Sequence, residues 1–468
     1  MSGRRTTRTV FAALLLAAAG AMLAAGPATA AERRPATPIR HFVFLMQGDR
    51  TFDNYFGTYP GVDAPPANAC QALVLTRPAN GCVRPFPLHG RAVNPLAPGK
   101  SVLDYQYAGG RMNGFVAGYL RQGRDGTNAM GYYDRRDLPY YWAVADRYVL
   151  FDRFFAAARY GNRTNRSYWV SGAPQPGGGA ARAAGYGDAP TIFDRLQAAG
   201  VSWKFYVEDY NPRETFRAAS ATDPAAQTVR VPLLNYARFV DRPELRSHIA
   251  DLSQYYRDLA AGTLPAVAYI SSSGSSERSA RSIGAGQELV QRLLTQLMLS
   301  DAWPSSAFLW SYDGSGGWFD HVRPPAVRGQ PLGFRVPALL VSPYAARGAV
   351  NHATLDYTSA LRFVEQNWGL RPLTERDATA TSLAVALDFR AAPRAPELIL
   401  LDAPPQGAKV RVDIAYVAYA GAFLLAVLLT VGAAAAPSLR RRLGRPLPEP
   451  AGPPDPVEGH VVGAGRRP

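Results

Sequence analysis

Short apolar runs alternate with helix-like segments along most of this chain, and this alternation restricts the fold more than any other feature. The apolar runs have the length of buried strands. Strands that alternate with helices favour a parallel sheet covered by helices on both faces. We therefore predict an α/β/α sandwich around a mostly parallel sheet. The strand-like runs are Ile39–Gln47, Val201–Asp209, Ala266–Ser273, Ser305–Trp310 and part of Gly333–Val350, and the helix-like segments are Thr191–Gly200, part of Ser275–Ser300 and Asp356–Leu370.

A polar loop follows the run Ser305–Trp310. It spans Tyr312–Pro325 (YDGSGGWFDHVRPP) and contains two aspartates, three glycines and a histidine. The carboxyl ends of strands are where α/β sheets hold their ligands. Carboxylate and imidazole side chains are common metal ligands, and the loop offers them at Asp313, Asp320 and His321. Its glycines let the backbone approach a ligand closely. The alternative is a tight turn that the Asp and Gly residues merely form.

A second polar loop follows the run Ile39–Gln47. It spans Gly48–Gly61 (GDRTFDNYFGTYPG) and carries Asp49 and Asp53. A strand that leads into an acidic loop again fits a metal site at the edge of a sheet. Helix capping is the alternative role for these two aspartates, because aspartate often caps helices.

The formal net charge of +15 raises nucleic acid as a possible class of partner. Nearly all the basic residues are arginines, however, and they are spread along the chain. Lysine occurs only at Lys100, Lys204 and Lys409, and no nucleic-acid-reading motif accompanies these residues. We therefore predict no nucleic-acid partner.

Residues 1–30 have the pattern of a signal peptide. Three arginines lie within residues 1–8, an Ala/Leu run follows, and residues 28–30 (ATA) form a small-x-small cleavage site. The two cysteines, Cys70 and Cys82, lie close together in the sequence. In an exported chain this favours a local disulfide, and two free buried thiols are the alternative.

Residues 414–436 form a run of 23 residues without a charge, which is long enough to span a bilayer. Arginines follow at Arg440, Arg441, Arg442 and Arg445. The tendency of positive charges to stay in the cytoplasm places these arginines inside the cell and the main domain outside it. A buried core helix is the alternative. We predict a single-pass protein of the cell membrane.

Three segments resemble motifs of the bacterial phosphoesterase family that contains phospholipases C and acid phosphatases. Tyr312–Pro325 is similar to YDE-x-GG-x-x-DHV-x-PP, Gln47–Gly61 to QENR[ST]FDxYFGxYPG, and Asn165–Gly172 to NRxYxxSG. The resemblance covers roughly residues 38–392. It implies an alkaline-phosphatase-like fold, hydrolysis of phosphate esters, a divalent metal ion held by carboxylates, and a Ser or Thr nucleophile.

Carried over position by position, the resemblance makes Asp313 a metal ligand and Asp49 a replacement for the family's Asn ligand. Gly48 and Gly314 stand where the family has Glu. Asn162 stands at the position of the nucleophile. An amide cannot form a phosphoryl-enzyme ester, so the usual covalent route is closed at this position.

The same comparison assigns four further positions. Arg166 matches the family motif NRxYxxSG, and His321 is one of three histidines expected near the site. The other two histidine positions fall on Asp104 and Arg278. The implied metal site is weakened, because affinity for a divalent ion follows the number and charge of its ligands.

Two functions follow from these residues. The first is a membrane-anchored phosphoesterase that hydrolyses phosphate esters or phospholipid head groups with a metal-activated water at Asp49, Asp313 and His321. The alternative is a catalytically inactive family member that binds a phosphorylated or envelope ligand, or a protein partner, in the same cleft. The predicted organisation is a signal peptide (1–30), a phosphoesterase-like extracellular domain (31–405), a linker (406–413), a transmembrane helix (414–436) and a basic, Pro/Gly-rich cytoplasmic tail (437–468).

Overall fold

A computed structural model describes residues 33–91, 93–175, 185–218, 226–279 and 282–399. The predicted signal peptide, the linker at 406–413, the transmembrane helix at 414–436 and the tail at 437–468 lie outside the described residues. Among the helices within the described ranges, none is both long and apolar enough to cross a membrane.

Eight strands of the described residues form one central sheet. In chain order they are β1 His41–Gln47, β2 Val149–Phe151, β3 Trp203–Val207, β4 Ile249–Asp251, β5 Val267–Ser271, β6 Ser306–Tyr312, β7 Ala338–Val341 and β8 Ala349–Asn351. Their order across the sheet is β8-β2-β7-β6-β1-β5-β3-β4. Only β7 runs antiparallel to its neighbours, β6 and β2, and the other neighbouring pairs are parallel. The prediction of a mostly parallel sheet is confirmed.

The described α-helices surround this sheet. They are α1 Phe52–Phe56, α2 Lys100–Tyr107, α3 Ala117–Leu120, α4 Pro139–Ala145, α5 Asn162–Ser171, α6 Ile192–Ala198, α7 Gln227–Arg230, α8 Ala237–Asp241, α9 Pro243–Arg246, α10 Ser253–Ala260, α11 Ile283–Met298, α12 Tyr357–Trp368 and α13 Glu375–Thr379. Short 3-10 turns lie at Pro78–Asn80, Ala108–Gly110, Thr127–Met130, Pro232–Asn235, Trp303–Ser305 and Leu383–Ala386.

Helices pack on both faces of the sheet. On one face, Trp169 of α5 packs against Phe44 of β1, with ring centroids 5.6 Å apart. On the other face, Tyr141 of α4 packs against Trp310 of β6, with ring centroids 5.3 Å apart. Trp310 pairs with Leu45, and neighbouring residues of one strand point to opposite faces. The two helices therefore cover opposite faces, as a sandwich requires.

The helix-like segments are bounded by ordinary capping signals. Thr191 and Asp194 form a capping box at the start of α6, and Gly200, with φ +67°, follows its end. Asp356 caps α12, which ends at Gly369 with φ +59°. A left-handed φ after a helix favours glycine, so these two glycines fix where the chain leaves each helix.

Outside the central sheet, three pairs of two-residue strands order the loops. A disulfide joins Cys70 to Cys82, beside one of these pairs. The pairs are Gln71–Ala72 with Cys82–Val83, Phe86–Pro87 with Gly131–Tyr132, and Ala326–Val327 with Gln330–Pro331.

Candidate functional site

Three adjacent strands, β6, β1 and β5, end at one edge of the sheet and lead into the loops of the site. Asp49 follows β1, Asp313 follows β6, and Arg278 lies in the loop after β5. The register pairs Gln47 with Tyr312, so the first two loops begin side by side. The backbone N–H of Asp49 donates to Oδ1 of Asp313 at 3.3 Å. The sheet therefore brings together two aspartates that are far apart in the sequence.

The guanidinium of Arg278 lies between these two carboxylates. One of its terminal nitrogens pairs with Oδ2 of Asp49 and the other with Oδ2 of Asp313. Burial lowers the pKa of Arg278, but the charges of Asp313 and Asp49 outweigh burial and raise this pKa above its ordinary value. Arg278 is therefore a permanently charged counterion for both aspartates.

Helix α5 directs its first turn at the same carboxylates. Nδ2 of Asn162, the first residue of the helix, donates to Oδ1 of Asp49 and to Oδ1 of Asp313, both at 2.7 Å. One turn later, Nε of Arg166 donates to Oδ2 of Asp313 at 2.7 Å. Gly161, just before the helix, has φ +77°, which a glycine adopts without steric cost. The structure thus brings together Asp49, Asp313, Asn162 and Arg166, all of which the sequence had singled out.

The charges of this cluster balance. Burial raises the pKa of Asp313, but Arg278 and Arg166 together lower this pKa below its ordinary value. Burial lowers the pKa of Arg166, and the charge of Asp313 offsets only part of this lowering. Two carboxylates face two guanidiniums, and N–H donors occupy the carboxylate oxygens.

A divalent ion needs several free oxygen ligands. The metal ion that the family resemblance implies therefore does not fit Asp49 and Asp313 with the side chains around them.

Glu277, immediately before Arg278, is anchored in a buried cluster of hydroxyl groups. Its carboxylate accepts hydrogen bonds from Tyr55 at 2.6 Å, from Tyr312 at 3.1 Å and from Tyr141. Its backbone has φ +67°, an uncommon conformation for a residue with a side chain. The cluster holds the loop in the conformation that places Arg278.

We expect Glu277→Gln to change how stability depends on pH. Burial raises the pKa of Glu277 to about 7, above its ordinary value of 4.5. Because the folded state then binds a proton that the unfolded state has released, stability falls as pH rises between these two values. Glutamine removes this penalty, so the variant should gain up to about 3 kcal/mol relative to the wild type between pH 4.5 and pH 8. Urea unfolding across this range measures the difference, and a constant offset between the two proteins would contradict it.

His321 lies in a different cluster from Asp49 and Asp313, so the grouping of these three residues around one metal ion is corrected. Its Nδ1 lies 2.7 Å from Oδ2 of Asp53, and its Nε2 lies 3.4 Å from Oδ1 of Asp63. The reason is that His321 follows a turn after β6, so the chain has already left the edge of the sheet at this residue.

Arg335 pairs with two carboxylates at that second cluster. Its Nε donates to Oδ1 of Asp320 at 2.9 Å, and one terminal nitrogen donates to Oδ1 of Asp53 at 2.7 Å. Burial raises the pKa of Asp320 to about 6. Asp53 does not cap α1, because Thr51 accepts the capping hydrogen bond from the N–H of Asn54. Asp53 is therefore part of a buried ion-pair network.

Two groups of described residues bring carboxylate and imidazole atoms close enough to hold an ion. One comprises Asp53, Asp320 and His321, and the other comprises the more exposed His89, Asp134 and Asp137. The first group already contains the guanidinium of Arg335.

A cavity of about 770 Å³ adjoins the cluster around Arg278. Besides Asp49, Asp313 and Asn162, its lining includes the cations of Lys100 and Arg159. Both of these cations pair with Asp104, at 3.0 and 3.4 Å, and Tyr160 donates its hydroxyl to the same carboxylate. Asp104 therefore holds two positive charges at the wall of the cavity.

The sequence alone assigns no role to three residues of these clusters. Arg278 stood out only as a departure from a family histidine, and Glu277 carries no local signal of its role. Arg335 lies in a strand-forming segment and carries no local signal of its role. The signal for all three is charge balance, which becomes visible only when the buried aspartates are known.

Comparison with known proteins identifies the family of this chain. Residues 39–371 match the family described as the phosphoesterase family. Phospholipase C B of Mycobacterium tuberculosis is 30% identical over 448 residues, covering 79% of this chain and 81% of its own, and phospholipase C A of the same species is 28% identical over 416 residues, covering 76% and 78%. A solved alkaline phosphatase superfamily protein from Vibrio parahaemolyticus aligns at 11% identity and a TM-score of 0.36, over 74% of this chain and 71% of its own. Because the family match spans most of the chain, this protein belongs to the phosphoesterase family.

Proposed function

We propose that this chain binds phosphate esters in the cavity beside Arg278 and does not hydrolyse them by a metal-dependent covalent route. The observation that carries the proposal is the position of the Arg278 guanidinium across Asp49 and Asp313. It occupies the carboxylate oxygens that a divalent ion would require. The ligand class is a phosphate monoester or a phospholipid head group, as membership of the family suggests.

Asn162 supports the absence of a covalent step. Its amide nitrogen donates to both carboxylates, so it acts as a hydrogen-bond donor within the cluster. A carboxamide is not a nucleophile towards phosphorus, whereas a hydroxyl group can be activated to attack it. We therefore propose that Asn162, which stands at the family position of the nucleophile, has a structural role in this chain.

The cations of the cavity support recognition of an anion. Asp49 and Asp313 are balanced by Arg278 and Arg166, so the floor of the cavity has no net charge. The two positive charges of Lys100 and Arg159 exceed the single negative charge of Asp104 by one. Guanidinium and ammonium groups form strong charge-assisted hydrogen bonds with phosphate oxygens.

Hydrolysis of a phospholipid is the second candidate. The named phospholipases C among the similar proteins favour it. It would need a water molecule as the nucleophile in place of a covalent intermediate.

We also propose that residues 414–436 anchor the protein in the cell membrane, with residues 31–405 outside the cytoplasm. This proposal rests on the uncharged run and on the arginines that follow it. Protease accessibility of the main domain in intact cells tests the orientation, and protection of that domain would contradict it.

The test of the proposed function uses the full chain in detergent, stripped of metal. A chromogenic phosphate monoester and a choline phospholipid are offered with Mg²⁺, Ca²⁺, Mn²⁺ or Zn²⁺ in turn, and binding of glycerol phosphate is measured by calorimetry. We expect binding without turnover. Metal-dependent turnover at the site would favour the second candidate and overturn the first.

Replacing Arg159 with glutamine should weaken binding of glycerol phosphate about tenfold, since one charge-assisted hydrogen bond is lost. Arg257→Gln is the matched control, because Arg257 lies on α10 and bonds only to Gln254 and Ser253 among the described contacts. Equal affinities of the two variants would place the ligand elsewhere.

A further inference from the structure

We propose that Arg278 is a built-in replacement for the divalent metal ion, and that its removal uncovers a metal site on Asp49 and Asp313. This inference rests on the site of the proposed function, but it concerns which cation holds the two carboxylates and not which ligand enters the cavity. It explains the poor fit of a metal ion by the position of Arg278 on the two carboxylates.

The carboxylates of Asp49 and Asp313 repel each other. The backbone N–H of Asp49 reaches Oδ1 of Asp313, and one amide nitrogen of Asn162 bonds both side chains. Two carboxylates this close stay ionised together only if a cation lies between them. Arg278 supplies that cation and spans both groups with its two terminal nitrogens. Its charge is permanent, so the pair needs no further ion.

Gly48 leaves a space that the side chain of Arg278 fills. A Cβ atom at Gly48 would lie 2.6 Å from Cγ and 2.9 Å from Nε of Arg278. Such distances exclude any side chain at position 48 while Arg278 keeps its place. The family resemblance implies a glutamate at this position. Glycine at 48 and arginine at 278 are therefore two halves of one change, in which one side chain vacates the space that another fills.

Gly314 behaves differently. A Cβ atom there would lie 3.4 Å from Nδ2 of Asn162 and 3.5 Å from Oδ1 of Asp49, which are ordinary contact distances. A Cβ atom at position 314 therefore fits beside the cluster without displacing Arg278. This difference identifies the packing of Arg278 against Gly48 as the step that closes the site to a metal ion.

The loop that carries Arg278 is held by several hydrogen bonds. Glu277 is held by three tyrosine hydroxyls, and Gln47 at the end of β1 donates to it at 3.0 Å. The backbone N–H of Gly48 also donates to the carbonyl of Ser276 at 2.8 Å. Strand β1 and the loop after β5 are thus tied together at the two residues that precede Arg278. The guanidinium is held in place and does not swing freely into solvent.

The test compares the wild type with Arg278→Ala and with the matched control Arg159→Ala, all as full chains in detergent and stripped of metal. Arg159 lines the same cavity but pairs with Asp104. Mn²⁺ binding is measured by calorimetry and by the electron paramagnetic resonance signal of free Mn²⁺, and the Tm is recorded with and without Mn²⁺. Neither readout requires activity.

We expect one Mn²⁺ per chain of Arg278→Ala, with a dissociation constant on the order of 10⁻⁴ M, since few ligands remain. Saturating Mn²⁺ should raise the Tm of this variant by a few degrees. The wild type and Arg159→Ala should show neither effect. Adding Gly314→Glu to Arg278→Ala supplies a third carboxylate and should tighten binding about tenfold or more.

One Mn²⁺ bound to the wild type and lost in Asp49→Asn would overturn the inference. The inference would also be overturned if Arg278→Ala binds no Mn²⁺ although circular dichroism shows that it is folded. If Arg278→Ala does not fold, Arg278→Gln keeps the size of the side chain without its charge and is judged by the same two criteria. Binding of glycerol phosphate by the wild type is scored separately, so a failure of the proposed function is distinguished from a failure of this inference.

Discussion

Arg335→Met is expected to lower the free energy of unfolding by about 3 to 5 kcal/mol at pH 7, because it leaves two buried carboxylates without their counterion. Arg335 and Asp320 are fully buried, and Asp53 is 4% exposed. The lost contacts are the ion pairs of 2.7 and 2.9 Å to Asp53 and Asp320. Methionine fills a similar volume, so the loss reports on charge and hydrogen bonding more than on packing. Urea unfolding of the purified protein measures it.

The loss should depend on pH in a defined direction. Burial raises the pKa of Asp320 to about 6, so the folded state binds a proton that the unfolded state has released, and stability falls as pH rises between the ordinary value of 3.8 and 6. Without Arg335 this pKa rises further and the fall becomes larger. The difference between the two proteins should therefore be greatest above pH 7 and shrink towards pH 4.

Arg390→Met is the control for this prediction. Arg390 is 94% exposed and pairs with Asp388 on the surface. Surface ion pairs contribute little to stability. The control should therefore unfold close to the wild type, and a similar loss in both variants would argue against a role for the buried network.

The strands of the fold could be predicted because a buried parallel sheet needs continuous apolar runs. Ile39–Gln47 and Ser305–Trp310 were predicted as strands and became β1 and β6 within one or two residues. Their adjacency could not be predicted, because hydrogen bonds between strands 265 residues apart leave no local pattern. Val149–Phe151 was not predicted as a strand. With only three residues it lies below the length at which periodicity is informative.

The sequence singled out Asp49, Asp313 and Arg166, but it did not indicate that Arg278 lies between the two aspartates. Asp49 and Asp313 follow strands, so their position at the edge of the sheet follows from the geometry of α/β folds. Arg278 follows β5 after a longer loop, and nothing in its neighbourhood indicates which way its side chain points. The space above Gly48 is a property of the folded chain alone. These facts explain why a metal ion was expected where the structure places a guanidinium.

Asp313→Ala is expected to lower the free energy of unfolding by about 3 to 5 kcal/mol at pH 7, because it leaves the buried guanidinium of Arg166 without its carboxylate. Both side chains are completely buried, and Nε of Arg166 bonds Oδ2 of Asp313 at 2.7 Å. Burial lowers the pKa of Arg166 and the charge of Asp313 raises it, so the carboxylate stabilises the charged form of the guanidinium. Asp388→Ala is the control, since Asp388 lies on the surface and should leave unfolding close to that of the wild type.

The pH dependence of Asp313→Ala should run in the same direction as that of Arg335→Met, but over a more acidic range. Arg278 and Arg166 lower the pKa of Asp313 despite its burial. The stability that this carboxylate contributes is present above the ordinary value of 3.8 and is lost as pH falls through the lowered pKa. The difference between wild type and Asp313→Ala should therefore be largest at neutral pH and shrink under strongly acidic conditions.

A double variant separates the ion pair from the packing around it. Asp313→Ala with Arg166→Met removes both charges, and removing both partners of a buried pair costs less than leaving one unpaired. We expect the double variant to be more stable than the sum of the two single losses implies, by about 2 kcal/mol or more. Additive losses would mean that Arg166 is held by Ser271 and the backbone carbonyls alone, and that the aspartate serves only Arg278. A positive coupling would establish that the floor of the cavity is a balanced cluster of two acids and two arginines.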